Sequence, residues 1–375
     1  MPQTQTSSTS PLVTVVIPAY NAAAYIETTI YSVMGQSHGN LEIVVANDGS
    51  TDDTAAVVTR LAKKDPRIRL LQQPNAGLAA ARNLGIQAAS GEYIANIDAD
   101  DIWCRHNIER QLSAIQNAPF DAKVAYAWSL GIDETNRLNG RFLMSIFEGH
   151  VFPALVYKFF VSNASSSLIH RTCFETFGSY GTRYYQEGAQ GCEDWDLHLR
   201  FAKHYQFAVA PSFLIGYRQT THNMSSHDAM MARSYQITME NAQRQCPGLS
   251  NKVFRWSFAN FALYLALNSS QTGNFRASWK WLLKALTKDP WMTIMRHDFH
   301  IILIRSLLDF LIQGCTQRIP GHKISYALLK KKFSLKQTGN ITSVILRHIH
   351  IYHRLPAQRW ERRRIEKLLA GKWHS

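Results

Sequence analysis

A chain of 375 residues with 46% hydrophobic and 18% charged residues can bury one large core and a smaller appendage, which excludes a wholly disordered, collagenous or disulfide-dense protein. Five cysteines (Cys104, Cys173, Cys192, Cys246 and Cys315) are odd in number and outside any CxxC spacing, which argues for reduced thiols in a cytosolic setting and against a zinc site. The net charge of +14 is uneven: residues 251–375 hold 22 Lys and Arg against 5 Asp and Glu, while residues 1–250 hold 19 against 22.

Met1 to Pro11 is polar and rich in Ser, Thr and Gln, without the basic start and apolar core of a signal peptide, and reads as a disordered leader. Leu12 to Ile17 is a β-branched run stopped by Pro18, the composition of a buried parallel strand. Ala22 to Gln36 reads as a helix with Ile26, Ile30, Val33 and Met34 on one face. Leu41 to Ala46 is a second strand running into the polar turn Asn47 to Thr54, which can cap a helix over 55–64. Ile68 to Gln72 is a third strand, followed by Pro74-Asn75-Ala76-Gly77 and a small-residue helix from Leu78 to Ala89. Tyr93 to Ile97 is a fourth strand, ending in Asp98, Asp100 and Asp101. The order β-α-β-α-β-α-β predicts an α/β fold with a doubly wound, mostly parallel sheet.

Such a sheet invites a nucleotide, yet neither GxGxxG nor GxxxxGK[ST] occurs, so a dinucleotide site or a P-loop is not expected. Polar residues stand instead at successive strand ends: Tyr20-Asn21, Asp48, Asn75 with Arg82-Asn83, then Asp98 and Asp100. The carboxyl edge of a parallel sheet brings such tips to one crevice. Three carboxylates within four positions repel unless neutralised, and Mg²⁺ or Mn²⁺ carrying a phosphate ligand would neutralise them. The alternative is a solvated acidic turn capping a helix that starts near Ile102.

Four stretches in order resemble the family 2 glycosyltransferases of GT-A fold over residues 12–235: Val13 to Asn21, Asn47 to Asp52, Asn75 to Asn83, and Gly91 through Trp103. The resemblance implies a donor half, 12–104, and an acceptor half, 105–235. It assigns binding of a nucleotide-diphospho-sugar, a UDP-sugar by family habit, to Pro18, Tyr20, Asn21, Asp48, Asn75, Arg82, Asp98 and Ala99. Tyr20 would pack on the base, Asp48 would accept from a ring N–H, Arg82 would sit near the base or diphosphate, and Asp98 would reach the ribose. Asp100 would bind Mn²⁺ or Mg²⁺, and Asp101 would orient or cap the turn. Asn47 stands where the family often has Asp.

In the acceptor half, Val124 to Ile132 reads as a strand, Phe147 to Phe160 as a helix, and Ser162 to Ile169 as a strand beside the acceptor. Gly191 to Arg200 opens as a loop and enters a helix bearing Glu193-Asp194. A sugar hydroxyl needs a carboxylate to take its proton during attack. The resemblance places that base at Asp194, with Glu193 as the alternative or as its partner, and implies inversion by direct displacement. Both acids could instead compensate the dipole of a helix N-terminus. The Tyr217 to Ser225 stretch resembles a loop that closes over the diphosphate, and His222 would complete the metal site, although its spacing is wider than usual.

Residues 236–375 lie outside the resemblance and read as a helical, basic region. Phe275 to Lys288 has helical apolar spacing, Phe299 to Ile312 reads as an interfacial or packed helix, and Lys330 to Lys332 and Arg359 to Arg364 with Trp360 and Trp373 form a basic, aromatic tail. No run reaches about 18 apolar residues without a charge, so no spanning helix is expected. The expected partners are a glycan or lipid-linked acceptor and an anionic membrane surface met by residues 251–375 from the cytoplasmic side, with no nucleic acid. The rival from another class is a silent sugar-nucleotide or glycan-binding subunit. A nucleotidyltransferase would need a Gly-rich basic loop after the first strand, which is absent.

Overall fold

The computed structural model describes residues 10–219, 227–316 and 356–371. Two compact units divide at Gly248 and Leu249. In the first, β1 (Val13–Ala19), α1 (Ile26–Met34), β2 (Leu41–Asp48), α2 (Thr54–Ala62), β3 (Ile68–Gln73), α3 (Leu78–Gln87) and β4 (Tyr93–Asn96) alternate as the sequence predicts. Then follow β5 (Ile102–Trp103), α4 (Asn107–Gln116), β6 (Ala122–Ile132), β7 (Leu138–Leu143), α5 (Phe152–Tyr157) and, after a 3₁₀ turn at Ala164–Ser166, β8 (Ser167–His170). The unit closes with α6 (Arg171–Phe177), α7 (Arg183–Gln186), α8 (Glu193–Ala202), β9 (Gln206–Arg218) and α9 (Asp228–Gln245).

One nine-stranded sheet runs β3-β2-β1-β4-β8-β6-β9-β5, with β7 beside β6. Its donor side is parallel throughout, since β1 pairs in parallel with β2 and β4, and β2 with β3. The acceptor side is mixed: β8 is antiparallel to both β4 and β6, while β6 and β9 are parallel. All seven residues of β1 are buried, as a strand covered on both faces requires. Pro18 does not stop it. Pairing with β4 ends at Val16 opposite Asn96, so the missing Pro18 N–H falls where only β2 flanks the strand. The small residues of α3 also have a cause: a Cβ on Gly85 would come within 2.4 Å of Val16 Cγ1, so this helix lies directly on β1.

Several expectations shift. The first helix begins at Ile26, not Ala22. No helix starts at Ile102; Ile102 and Trp103 pair with Gly216 and Ile215, and the helix waits until Asn107. Of Phe147 to Phe160 only Phe152–Tyr157 is helical, and all six of its residues are buried. The expected boundary at 235 falls inside α9, whose Ser234 and Tyr235 are buried and whose Ser234 Oγ accepts from Cys192 N–H at 2.9 Å. The end of the expected leader is tied down, because Ser10 and Pro11 carbonyls accept from Asn40 Nδ2 (2.7 Å) and the His38 ring (2.9 Å). Residues 1–9 lie outside the described residues, as do Lys330 to Lys332 and Trp373. Cys104, Cys173, Cys192 and Cys246 are free thiols.

The second unit consists of α10 (Asn251–Gln271), α11 (Phe275–Lys288), α12 (Pro290–Met295), α13 (His297–Thr316) and α14 (Pro356–Leu369). Ala262, Leu263, Ala266, Leu282, Ala285 and Ile302 form its core. Asp289 caps α12 and pairs with Arg364, whose guanidinium lies 4.1 Å from the Trp256 ring centroid. Arg364 is thus an internal tie and not part of a free basic tail. Among the described residues no helix is long and apolar enough to cross a membrane.

Candidate active site

The parallel strands end along one edge, and loops from β1, β2, β3 and β4 meet there. Tyr20 stands 53% exposed at the end of β1, on the rim of this edge. Asn21 behind it has a positive φ of 48°, a conformation Asn tolerates better than most residues. Its Oδ1 accepts from Thr51 N–H at 2.9 Å and its own N–H donates to Ser50 Oγ at 3.0 Å, so it ties the first loop to the second. Asp48 is buried and already accepts from Gln73 Nε2 (2.7 Å), Ala76 N–H (2.9 Å) and Gly77 N–H (2.9 Å). It shapes the β3–α3 loop and keeps one of the roughly four acceptor positions of a carboxylate. Pro18 lies within β1 opposite Ala46.

Asn75 in that loop accepts from the Tyr185 hydroxyl at 3.2 Å. The Tyr185 ring also covers Gly77, where a Cβ would meet it at 2.5 Å. Tyr185 comes from the short α7, and no sequence signal singled it out.

The acidic turn after β4 is held by three residues from elsewhere in the chain. Thr29 Oγ1 donates to the Ala99 carbonyl (2.9 Å) and the Asp101 carbonyl (2.8 Å). Arg218 Nε donates to the Asp100 carbonyl at 2.6 Å, and Arg218 N–H to Asp101 Oδ1 at 2.8 Å. Ser165 Oγ donates to Asp101 Oδ2 at 2.5 Å and accepts from Asp98 N–H at 3.0 Å. Asp101 is fully buried, and burial with its acidic neighbours holds its pKa well above the usual carboxylate range. It therefore builds the turn, which leaves the Asp98 and Asp100 side chains as the ligand-capable pair. Ser165 and Arg218 lie in stretches that the sequence marks out, but their hold on this turn, from distant positions, leaves no sequence signal.

Asp98 pairs with Arg82 at 2.6 Å. Arg82 is buried and lies 5.0 Å from the Tyr180 ring centroid. Burial works against its charge, but Asp98, Tyr180 and Asp194 together hold its pKa above the normal guanidinium value. Burial and the Asp98 charge push Asp100 up to about 6. Among the described residues no three His, Cys, Asp or Glu side chains converge on a metal position. Asp98 is engaged by Arg82, and Asp100 is the carboxylate of the turn for which no ion pair with a side chain is found among the described residues. Mg²⁺ and Mn²⁺ are commonly held by one or two carboxylates with substrate phosphates and water, so these residues fit such an ion. His222 lies outside the described residues.

Glu193 and Asp194 open α8. Glu193 is buried; its Oε2 accepts from Gly191 N–H at 2.7 Å, and its Oε1 takes no partner among the described residues. Asp194 is partly exposed and accepts from Trp195 N–H at 2.8 Å. Burial raises its pKa to about 7, with Arg82 opposing and Glu193 and Asp98 adding to the rise. One turn on, buried His198 has its pKa lowered by burial to about 4, so its ring is neutral. Since the Asp194 carbonyl can only accept, Nδ1–H donates to it at 2.6 Å, and Nε2 faces Ser167 Oγ at 3.2 Å. Arg82 is ion-paired with Asp98, and its charge also lowers the Asp194 pKa. Two more buried polar atoms near it, Arg82 Nε and the Tyr180 hydroxyl, take no partner among the described residues.

Comparison with known proteins adds to this geometry. The family model "Glycosyl transferase family 2" matches residues 14–174. An uncharacterized glycosyltransferase of Rickettsia bellii is 39% identical over 148 residues, 38% of this chain and 20% of that protein. The putative teichuronic acid biosynthesis glycosyltransferase TuaG of Bacillus subtilis is 43% identical over 103 residues, covering 27% of this chain and 41% of the relative. The chain thus spans about a fifth of the length of the Rickettsia relative. Among solved structures, S. aureus TarS 1–349 in complex with UDP-GlcNAc is similar at 13% identity and a TM-score of 0.49, over 74% of this chain and 92% of that one.

Proposed function

Residues 14–174 constitute a family 2 glycosyltransferase domain, and on that premise we propose that the chain transfers a sugar from a nucleotide-diphospho-sugar to a hydroxyl acceptor, with Asp194 as general base. The observation that carries this reading is the place of Asp194 at the start of α8 beside Glu193, where burial raises its pKa toward the range that suits a base working near neutrality. An acceptor hydroxyl attacks the anomeric carbon, its proton passes to an Asp194 oxygen, and the bond from that carbon to the diphosphate breaks. The nucleoside diphosphate leaves with the electron pair. A single displacement inverts the anomeric centre and needs no covalent intermediate.

The remaining roles are proposed on the resemblance, with position in support. Tyr20 offers an exposed ring for a base, Asp48 shapes the loop beneath it, and Arg82 brings a cation toward the diphosphate while restraining the rise in the Asp194 pKa. Asp98 orients Arg82 and faces the ribose. Asp100 would hold a Mn²⁺ or Mg²⁺ ion, which when bound supplies Lewis-acid stabilisation of the leaving diphosphate. The resemblance favours a UDP-sugar, and relatives such as TuaG favour a cell-surface polysaccharide or its lipid-linked precursor as acceptor. Such an acceptor would be met at the cytoplasmic face of the membrane.

A thermal-shift panel of UDP-, GDP- and dTDP-sugars with and without Mn²⁺ tests the donor reading, because a ligand bound to the native state alone raises Tm by mass action. The expected result is a rise with UDP-sugars that grows when Mn²⁺ is present. No rise with any nucleotide sugar rejects the reading.

A further inference from the structure

The second unit exposes large apolar side chains beside positive charge. On α11, Trp279 is 40% and Leu283 56% exposed. Arg276, Lys280 and Lys284, also exposed, share that side by their spacing of three and four. Ser278, Leu282 and Ala285 are the buried residues of the same helix. The display continues along the chain, with Trp291 69% exposed on α12 and Ile304 and Leu307 each 59% exposed on α13. Acidic residues do not offset it. From Phe275 to Leu307 only Asp289 and Asp298 are acidic, and they are engaged by Arg364 and Arg296.

We propose that the outward side of α11, centred on Trp279 and Leu283, is a docking face for an anionic lipid bilayer, with the exposed Trp291 of α12 as a second contact. Charge complementarity and side-chain type both favour this occupant. Helices that lie in a membrane interface set Trp and Leu into the headgroup–acyl boundary and spread Lys and Arg at headgroup level. Protein-binding faces are depleted in Lys at their cores, whereas here Lys280 and Lys284 flank the apolar pair. Nucleic acid would use the charge but leave Leu283, Ile304 and Leu307 without a role. The assignment concerns this helix, not the basic residues beyond 316.

The test is co-sedimentation of the full chain with vesicles of phosphatidylcholine alone or mixed with phosphatidylglycerol, in low and high salt. It needs no donor or acceptor, so it stands or falls apart from the glycosyl-transfer reading. The wild type is expected to partition onto the anionic vesicles and to be released by salt. The double substitution Arg276→Glu with Lys280→Glu should lower partitioning by roughly fivefold or more per charge removed. The pair Trp279→Ser with Leu283→Ser should weaken binding to anionic vesicles even in low salt. Trp291→Ser, on a different helix, gives an independent loss should the α11 pair prove unstable on heating. Equal partitioning onto neutral and anionic vesicles, or binding that survives all three variants, would overturn the proposal. Concentration-dependent self-association without lipid, abolished by the Trp279→Ser pair, would overturn it in favour of a second copy of the chain.

Discussion

Arg82 donates to Asp98 at 2.6 Å from a position where the same guanidinium also interacts with Asp194. One buried cation thereby joins the acidic turn after β4 to the acidic start of α8. The Asp98 charge itself adds to the rise in the Asp194 pKa.

Arg82→Gln should therefore move the pH profile. Arg82 lowers the Asp194 pKa, so its removal raises it, and the acidic limb of kcat/KM for donor hydrolysis should shift to higher pH. The substitution also breaks the hydrogen bond to charged Asp98, a cost of about 1.5–3 kcal/mol, readable in urea unfolding. A limb that stays in place would show that Arg82 is structural only.

In the unsubstituted protein the sign is fixed by the role of a base, which must be ionised. Donor hydrolysis should fall about tenfold per pH unit below about 7, the Asp194 value, and level off above it. A rate that rises on acidification would mark Asp194 as an acid.

Asp100→Asn should weaken donor binding measured with Mn²⁺ by at least about tenfold, given that it removes one of at most two carboxylates available to the ion. Chelation with EDTA should abolish donor hydrolysis in the wild type, with recovery on adding Mn²⁺ or Mg²⁺. Activity unaffected by chelation would remove the metal from the account.

Gly191 has a φ of 122°, and a Cβ there would lie 2.2 Å from Met231 S. Gly191→Ala should destabilise the fold by about 1–3 kcal/mol and displace the Glu193 side chain that its N–H holds. Thermal unfolding reads the first effect. An unchanged Tm would mean that α9 gives way at Met231.

The donor half was legible because its strands are continuous β-branched runs and its motifs stand at their ends. Asp101 shows where this reading stopped. Its place in a row of acids suggests a ligand, but its partners Ser165 and Arg218 come from 64 and 117 residues away, and such closures leave no local pattern. The same holds for Arg82, whose burial cannot be told from a surface position on a small-residue helix. On the acceptor side, β7 and β9 escaped the reading. β7 is a largely exposed edge strand with Asn139, Gly140 and Arg141 in its middle, and β9 carries Pro211 and Gly216 within its length, residues that argue against a strand. The sequence carries no mark for the division at Gly248 and Leu249, since α9 is polar over most of its surface and its buried positions answer to α8.

The central claim is that Asp194 takes the proton of the attacking hydroxyl. The most direct measurement is single-turnover release of UDP from a UDP-sugar by wild type and Asp194→Asn, with donor affinity determined separately by calorimetry. The account predicts a loss of roughly 10²–10⁴-fold in rate with affinity unchanged within about threefold. Equal rates at equal affinity would contradict it.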